Sequence, residues 1–274
     1  GDKGNYGVEY VLRDVLEGRD GKARRQRIAR GFYGRVVGGD NSEPEDGLDV
    51  VTTLDLEMQD VADRALRRQL EAQNALWGTA LVMEVATGDL LAMANLSRTK
   101  SGAYAEVKNH ALSSRMEPGS TFKLAALLAL VDDAGMSLDE TFDTGNGARV
   151  KVGRTTVQDS HGLPPLNLKD AVAHSSNVFF ARAVYETYKD DPERYVDYLR
   201  HLHLDRTVGL EEFGAVAPIF PAPGMKIWYP DVSIVNMGYG YAIELTPLHT
   251  LTLYNAVAND GCMVAPRLVR EIRR

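Results

Sequence analysis

From Leu54 to Asn74 the apolar residues Met58, Val61, Ala62, Ala65, Leu66 and Leu70 recur at three- and four-residue steps, which predicts an amphipathic helix. The period changes to two on either side. Leu48 to Thr53 reads as a strand, and Thr79 to Ala86 and Leu90 to Ala94 read as two more. Thr87-Gly88-Asp89 joins the last two as a hairpin. Helical spacing returns at Phe122–Asp133, Leu168–Ala173, Val178–Tyr188, Pro192–Leu202 and Pro247–Ala258. Ahead of all these lies a stretch rich in Gly, Arg and Asp, whose most coherent element is a short helix around Val8–Leu16. The polar connector Asn41 to Gly47 has strong turn chemistry and places a boundary, dividing residues 1–46 from 47–274. The pattern as a whole predicts an α+β fold, with helices around a small antiparallel sheet.

Composition narrows the function. The 274 residues suit one large domain or one domain with an appendage. Hydrophobic residues make up 44% and charged ones 25%, which excludes a largely disordered chain. The formal charge of −7 disfavours a nucleic-acid partner. The densest basic cluster, Lys22 to Arg30, has five cations in nine residues and reads as a solvated helix face. Cys262 is alone, and no Cys/His set has zinc spacing. The longest apolar run, Leu124 to Val131, has eight residues, far short of a membrane span, and no signal peptide opens the chain. Any membrane anchor is therefore expected outside these residues.

Several apparent motifs fail on chemistry. Asp143-Thr-Gly-Asn-Gly resembles a calcium loop but has the wrong residues at its third and fifth positions. Gly238-Tyr-Gly240 lacks the third glycine and the preceding strand of a dinucleotide fingerprint. His201 and His203 are two apart and would point different ways on a helix.

A serine followed three residues later by lysine is more informative. A serine hydroxyl is a weak nucleophile that needs a base within hydrogen-bond reach, and i, i+3 residues share one helix face. Burial or positive potential can depress the lysine pKa enough to make it that base. Ser97-Arg-Thr-Lys100 sits in nothing helical and reads as an exposed loop. Ser120-Thr-Phe-Lys123 follows Glu117-Pro-Gly119 and leads into an eight-residue apolar run, so a buried helix is predicted to begin at the serine. Downstream, Ser175-Ser176-Asn177 lies between two helical patterns. A hydroxyl and an amide on such a turn could relay a proton and hold a carbonyl or the lysine head. The ordinary alternative is a helix cap, where Ser and Asn are favoured.

These stretches resemble the class B penicillin-binding proteins, the peptidoglycan D,D-transpeptidases, and are most similar to the septal, division-type enzymes. The resemblance is carried by Gly47–Asp55 with Gln59, Ala80–Ala94, Glu117–Lys123, Ser175–Asn177, Gly238–Gly240, Leu245–Leu248 and Ala258–Gly261, in family order. Asn5–Tyr10 resembles the end of the family's N-terminal pedestal. It implies the penicillin-binding transpeptidase or serine β-lactamase-like fold, with residues 1–46 as pedestal and 47–274 as the N-terminal and central part of the transpeptidase domain. It also implies Ser120 as nucleophile, Lys123 as base, Ser175 as proton relay and substrate contact, and Asn177 as substrate contact, with no cofactor or metal. The implied partners are peptidoglycan stem peptides, β-lactams, a membrane glycosyltransferase and division proteins. The implied location is the outer face of a bacterial cell membrane. The family's third motif, Lys-Thr/Ser-Gly, is not found, since after Asn177 the only lysines are Lys189 and Lys226. The resemblance places it beyond Arg274, together with the later strands of the sheet, so these residues alone are expected to be inactive.

Other readings are a β-lactam sensor, a silent division scaffold, or a β-lactamase. The last needs a further base for the deacylating water, and no Glu-x-x-x-Asn element follows the second motif.

Overall fold

The computed structural model describes residues 7–22, 25–30, 32–35, 42–147 and 149–274. They form two compact units, one of residues 1–53 and 267–274, the other Leu54–Pro266.

The first unit contains two short helices, α1 (Gly7–Val11) and α2 (Arg13–Leu16), and an antiparallel ribbon of β1 (Arg25–Ala29) and β2 (Phe32–Arg35). Its β3 (Asp49–Thr52) pairs with the last strand of the chain, β11 (Val269–Arg273). Residues 25–29 of the basic cluster are thus strand rather than helix face, and Ala23 and Arg24 lie outside the described residues. The backbone of residues 25–29 pairs antiparallel with Phe32–Arg35, from Arg25 opposite Arg35 to Ala29 opposite Phe32. Asn5 and Tyr6 of the pedestal-like stretch, and Asn41 of the connector, also lie outside the described residues. The units divide at Thr53/Leu54 rather than at the connector, because β3 is held by β11.

The second unit opens with α3 (Leu56–Gln73), capped by Asp55, whose carboxylate accepts from the Met58 N–H at 2.9 Å. Its packed face is Ala62, Leu66 and Leu70, with the Gln59 amide bonded to both backbone groups of Met93. Met58 and Val61, predicted on that face, are exposed. A three-stranded antiparallel sheet follows, ordered β4 (Trp77–Met83), β5 (Leu90–Arg98), β6 (Tyr104–Ala105). The predicted hairpin forms, but its first strand stops at Met83 rather than Ala86, and the turn is closed by Gly88 N–H donating to the Glu84 carbonyl at 3.0 Å. β5 runs on through Arg98 and gains a third strand, so Ser97 lies in a strand rather than a loop. After α4 (His110–Ser113), the run predicted as one helix over Phe122–Asp133 is three pieces. They are a 3₁₀ turn at Gly119–Phe122, α5 (Lys123–Leu128) and a π-turn at Ala129–Asp133. The Tyr188 hydroxyl donates to the Ala129 carbonyl at 2.8 Å, one of the oxygens the change of helix type redirects.

Next come the pairs β7 (Thr141–Phe142) with β10 (Leu166–Asn167), and β8 (Val150–Val152) with β9 (Thr155–Val157). The helices α6 (Leu168–Ala173), α7 (Asn177–Tyr188), α8 (Pro192–His201), α9 (Ser233–Met237) and α10 (Pro247–Ala258) complete the unit. α7 is the centre of the core. Val178, Phe179, Phe180, Ala181, Ala183, Val184 and Tyr188 are all buried, so it is apolar around most of its circumference and lined by α5, α8 and α9. Among the described residues, no helix is long and apolar enough to cross a membrane.

Candidate active site

The starts of the two buried helices α5 and α7 are brought together by the Lys123 ammonium group. Lys123 is the first residue of α5 and only 5% exposed, while Ser120 and Ser175 are open to solvent. Its Nζ lies 3.1 Å from Ser120 Oγ, 3.0 Å from Ser175 Oγ, 2.5 Å from the Ser175 carbonyl and 2.7 Å from Asn177 Oδ1. All four predicted site residues therefore meet at one atom.

Those four oxygens decide what the amine can do. The Ser175 carbonyl and Asn177 Oδ1 can only accept, and together they use both N–H groups of a neutral amine. The lone pair is left to the two hydroxyls, which are the partners able to donate. Burial pushes the Lys123 pKa down to about 8, with the Asp159 carboxylate pulling the other way. At pH 7 roughly one lysine in ten is then neutral, against about one in three thousand at the ordinary value.

Local backbone explains why these side chains converge. Ser120 sits in the 3₁₀ turn ahead of α5, not in the α-helix itself, and this tighter turn carries the hydroxyl beside the lysine three residues on. Gly119 precedes it at φ 55°, and its N–H donates to the Gly240 carbonyl at 2.9 Å. Glu117 accepts from the Ala242 N–H at 2.9 Å, and Met116 exchanges both backbone hydrogen bonds with Leu245. The Gly238-Tyr-Gly240 stretch thus backs the serine turn. A Cβ on Gly240 would lie 1.9 Å from the Gly119 carbonyl oxygen.

The second motif divides its labour. α6 ends in a Schellman pattern, with Ser175 N–H donating to Val172 and Ser176 N–H to Ala171. Ser175 occupies the left-handed position at φ 52°, where glycine is usual. Ser176 is the buried N-cap of α7, accepting from the Phe179 N–H at 3.0 Å, so the helix-cap alternative holds for this middle residue. Ser175 and Asn177 on either side face Lys123.

Sequence reasoning missed Asp159. This carboxylate, 5% exposed, accepts from the Ser176 hydroxyl at 2.8 Å, the Asn177 N–H at 2.5 Å and the Val178 N–H at 3.2 Å. It stands just after β9 with no partner pattern nearby in sequence, so only the fold reveals it.

The competing Ser97 is differently placed. Its hydroxyl is 2.7 Å from His110 Nε2, whose Nδ1 is 2.8 Å from Ser114 Oγ, and Trp77 stacks on the imidazole at 4.1 Å. Burial lowers the His110 pKa, so the ring is a neutral polar staple between β5 and α4. Lys100 lies beyond the end of β5.

Residues 78–274 match the family described as the penicillin-binding protein transpeptidase domain. A probable peptidoglycan D,D-transpeptidase, PenA of Neisseria meningitidis, is 27% identical over 271 residues, covering 96% of this chain and 45% of that protein. Penicillin-binding protein PbpB of Mycobacterium tuberculosis is 30% identical over 282 residues, covering 97% and 39%. The chain thus spans less than half the length of these relatives. Penicillin-binding protein 3 of Mycobacterium tuberculosis, solved in complex with aztreonam, superposes with a TM-score of 0.79 at 27% identity, covering 98% of this chain and 56% of that one.

Proposed function

The chain belongs to the class B penicillin-binding proteins, through their transpeptidase domain, and on that footing we propose that it supplies the serine acylation centre of a peptidoglycan D,D-transpeptidase. The observation that carries this reading is the buried Lys123 Nζ at 3.1 Å from Ser120 Oγ, with both of its N–H groups claimed by pure acceptors.

In the reaction, neutral Lys123 takes the hydroxyl proton as Ser120 Oγ attacks the penultimate D-Ala carbonyl of a stem peptide. The bond to the terminal D-Ala breaks, and its nitrogen leaves with a proton passed through the Ser175 hydroxyl, which bridges Lys123 and the solvent-exposed side of the site. Asn177 spans the remaining distance. Its Oδ1 holds Lys123, and its amide nitrogen faces the Gln158 carbonyl at 3.4 Å, a long bond that a substrate carbonyl could replace. An amine from a second stem peptide then attacks the ester; its C–N bond forms the cross-link, the C–Oγ bond breaks, and the proton the amine gives up returns through Lys123 to Ser120 Oγ. A β-lactam, whose strained amide opens at the same serine without releasing a fragment, would remain attached. In this reading the whole protein is anchored outside these residues in a bacterial membrane, faces the cell wall, and works with a membrane glycosyltransferase and division proteins.

The test is peptide mapping of the full-length protein after reaction with a fluorescent penicillin. The label is expected on Ser120. Label on Ser97 or elsewhere would overturn the assignment.

A further inference from the structure

We propose that Asp159 is a positioning residue of this site, its buried carboxylate drawing the Ser176 hydroxyl and the first backbone N–H groups of α7 onto one point and thereby holding Asn177 and the Ser175 turn against Lys123. The inference rests on the acylation reading above and adds a residue outside its three motifs.

α7 already has a neutral cap, since Ser176 Oγ accepts from the Phe179 N–H at 3.0 Å. A cap of that kind is enough for a helix. Burying a carboxylate as well is costly unless every donor around it is well placed. Here the donors are well placed: the Ser176 hydroxyl at 2.8 Å, and the Asn177 and Val178 N–H groups at 2.5 and 3.2 Å, at the positive end of the buried helix. Oδ2 fixes the residue before Asn177 and Oδ1 fixes Asn177 itself. The Asn177 backbone is therefore pinned from one side, while its side chain reaches 2.7 Å to Lys123 on the other. Ser175 is one residue further back in a left-handed conformation that its carbonyl and hydroxyl contacts to Lys123 maintain. Losing the anchor would free the turn to relax from that strained geometry.

The carboxylate has a second effect on the same base. The groups against Lys123 Nζ are Ser120 from the 3₁₀ turn, Ser175 and Asn177 from the α6–α7 junction, and the Phe180 ring at 5.9 Å from α7, all uncharged. The Asp159 carboxylate, held behind Asn177 at the start of α7, opposes the downward push of burial. It keeps the lysine ready to receive a proton while the amine remains neutral often enough to act.

Two variants of the full-length protein separate placement from charge. Asp159→Asn keeps the shape and the Oδ1 acceptor but removes the charge, and Asp159→Ala removes both. Lys123 is titrated directly through its Cε and Nζ resonances in lysine-labelled protein, assigned with Lys123→Arg, and penicillin acylation is followed across pH. In both variants the Lys123 midpoint is expected below that of the parent. Plateau acylation should fall about a hundredfold in Asp159→Ala, the cost of a misplacement near 1 Å, and by less in Asp159→Asn. If Asp159→Ala fails to fold, the Asn variant decides alone. A Lys123 midpoint unmoved or raised in Asp159→Asn overturns the inference, as does parental acylation in Asp159→Ala. A parent protein that never labels at Ser120 would sink the acylation reading, while the resonance titration would still decide the role of Asp159.

Discussion

Placing a methyl group on Gly240 should slow acylation about a hundredfold without touching any reacting atom. The Cβ of an alanine there would sit 1.9 Å from the Gly119 carbonyl oxygen, 2.6 Å from its carbonyl carbon and 2.9 Å from its Cα. All three atoms are backbone, so no side chain can swing aside. The two strands of chain must separate by about 1 Å, and Gly119 is the residue directly before the serine. A displacement of that size between reacting groups costs about a hundredfold in rate. Alanine at φ 89° adds backbone strain of about 1–3 kcal/mol, which would lower stability whatever happens at the site. Gly214 provides the control, since it has nearly the same φ of 92° and open space where its Cβ would go. Stopped-flow acylation by a fluorescent penicillin, with thermal melts alongside, should find both alanine variants less stable and only Gly240→Ala slow. If Gly240→Ala acylates as fast as Gly214→Ala, the serine turn does not depend on this backing and the reasoning is wrong.

Three further outcomes are expected. Ser175→Gly relieves a left-handed serine, so the melting temperature should rise while acylation falls through loss of the hydroxyl, whereas Ser175→Ala should lose activity without gaining stability; a glycine variant that is less stable would show the turn is unstrained. The parent's acylation rate should climb about tenfold per pH unit and level off above about 8, because Lys123 must lose its proton to act. Lys123→Arg should abolish that climb and reduce acylation by orders of magnitude with the fold intact, since a guanidinium stays protonated; near-parental acylation by this variant would assign the base elsewhere.

What could be read from the sequence was whatever is encoded locally. Ser120 and Lys123 are one turn apart and Ser175 and Asn177 two residues apart, so each pair shows as a local motif, and the apolar run after Lys123 set this Ser-x-x-Lys apart from the copy at Ser97 by marking the burial its chemistry needs. Long helices with a clear stripe were legible for the same reason. α4 and α9 have four and five residues, too few to show a period. The alternation around Gly153-Arg154 does carry a hairpin signal, but its strands have three residues each. Asp159 was invisible because its three bonds reach 17 to 19 residues along the chain, to a place fixed only when α7 is packed. The exposed Met58 and Val61 on α3 show the converse, an apolar stripe that the packed sheet meets slightly off its centre.

The pairing of β3 with β11 sets an order of events during synthesis. Residues 49–52 leave the ribosome long before their partner, residues 269–273, has been made. Closing that gap through an unstructured chain would cost about 5 kcal/mol in loop entropy, more than a four-residue strand pair returns. The cost falls once Leu54–Pro266 has folded, because Thr53 N–H bonds to the Leu268 carbonyl at 2.9 Å, so the two ends of that segment emerge side by side. The nascent chain should therefore build Leu54–Pro266 first and hold β3 as an unpaired strand until translation reaches Val269. A chaperone that shields a lone edge strand would find its substrate during that interval.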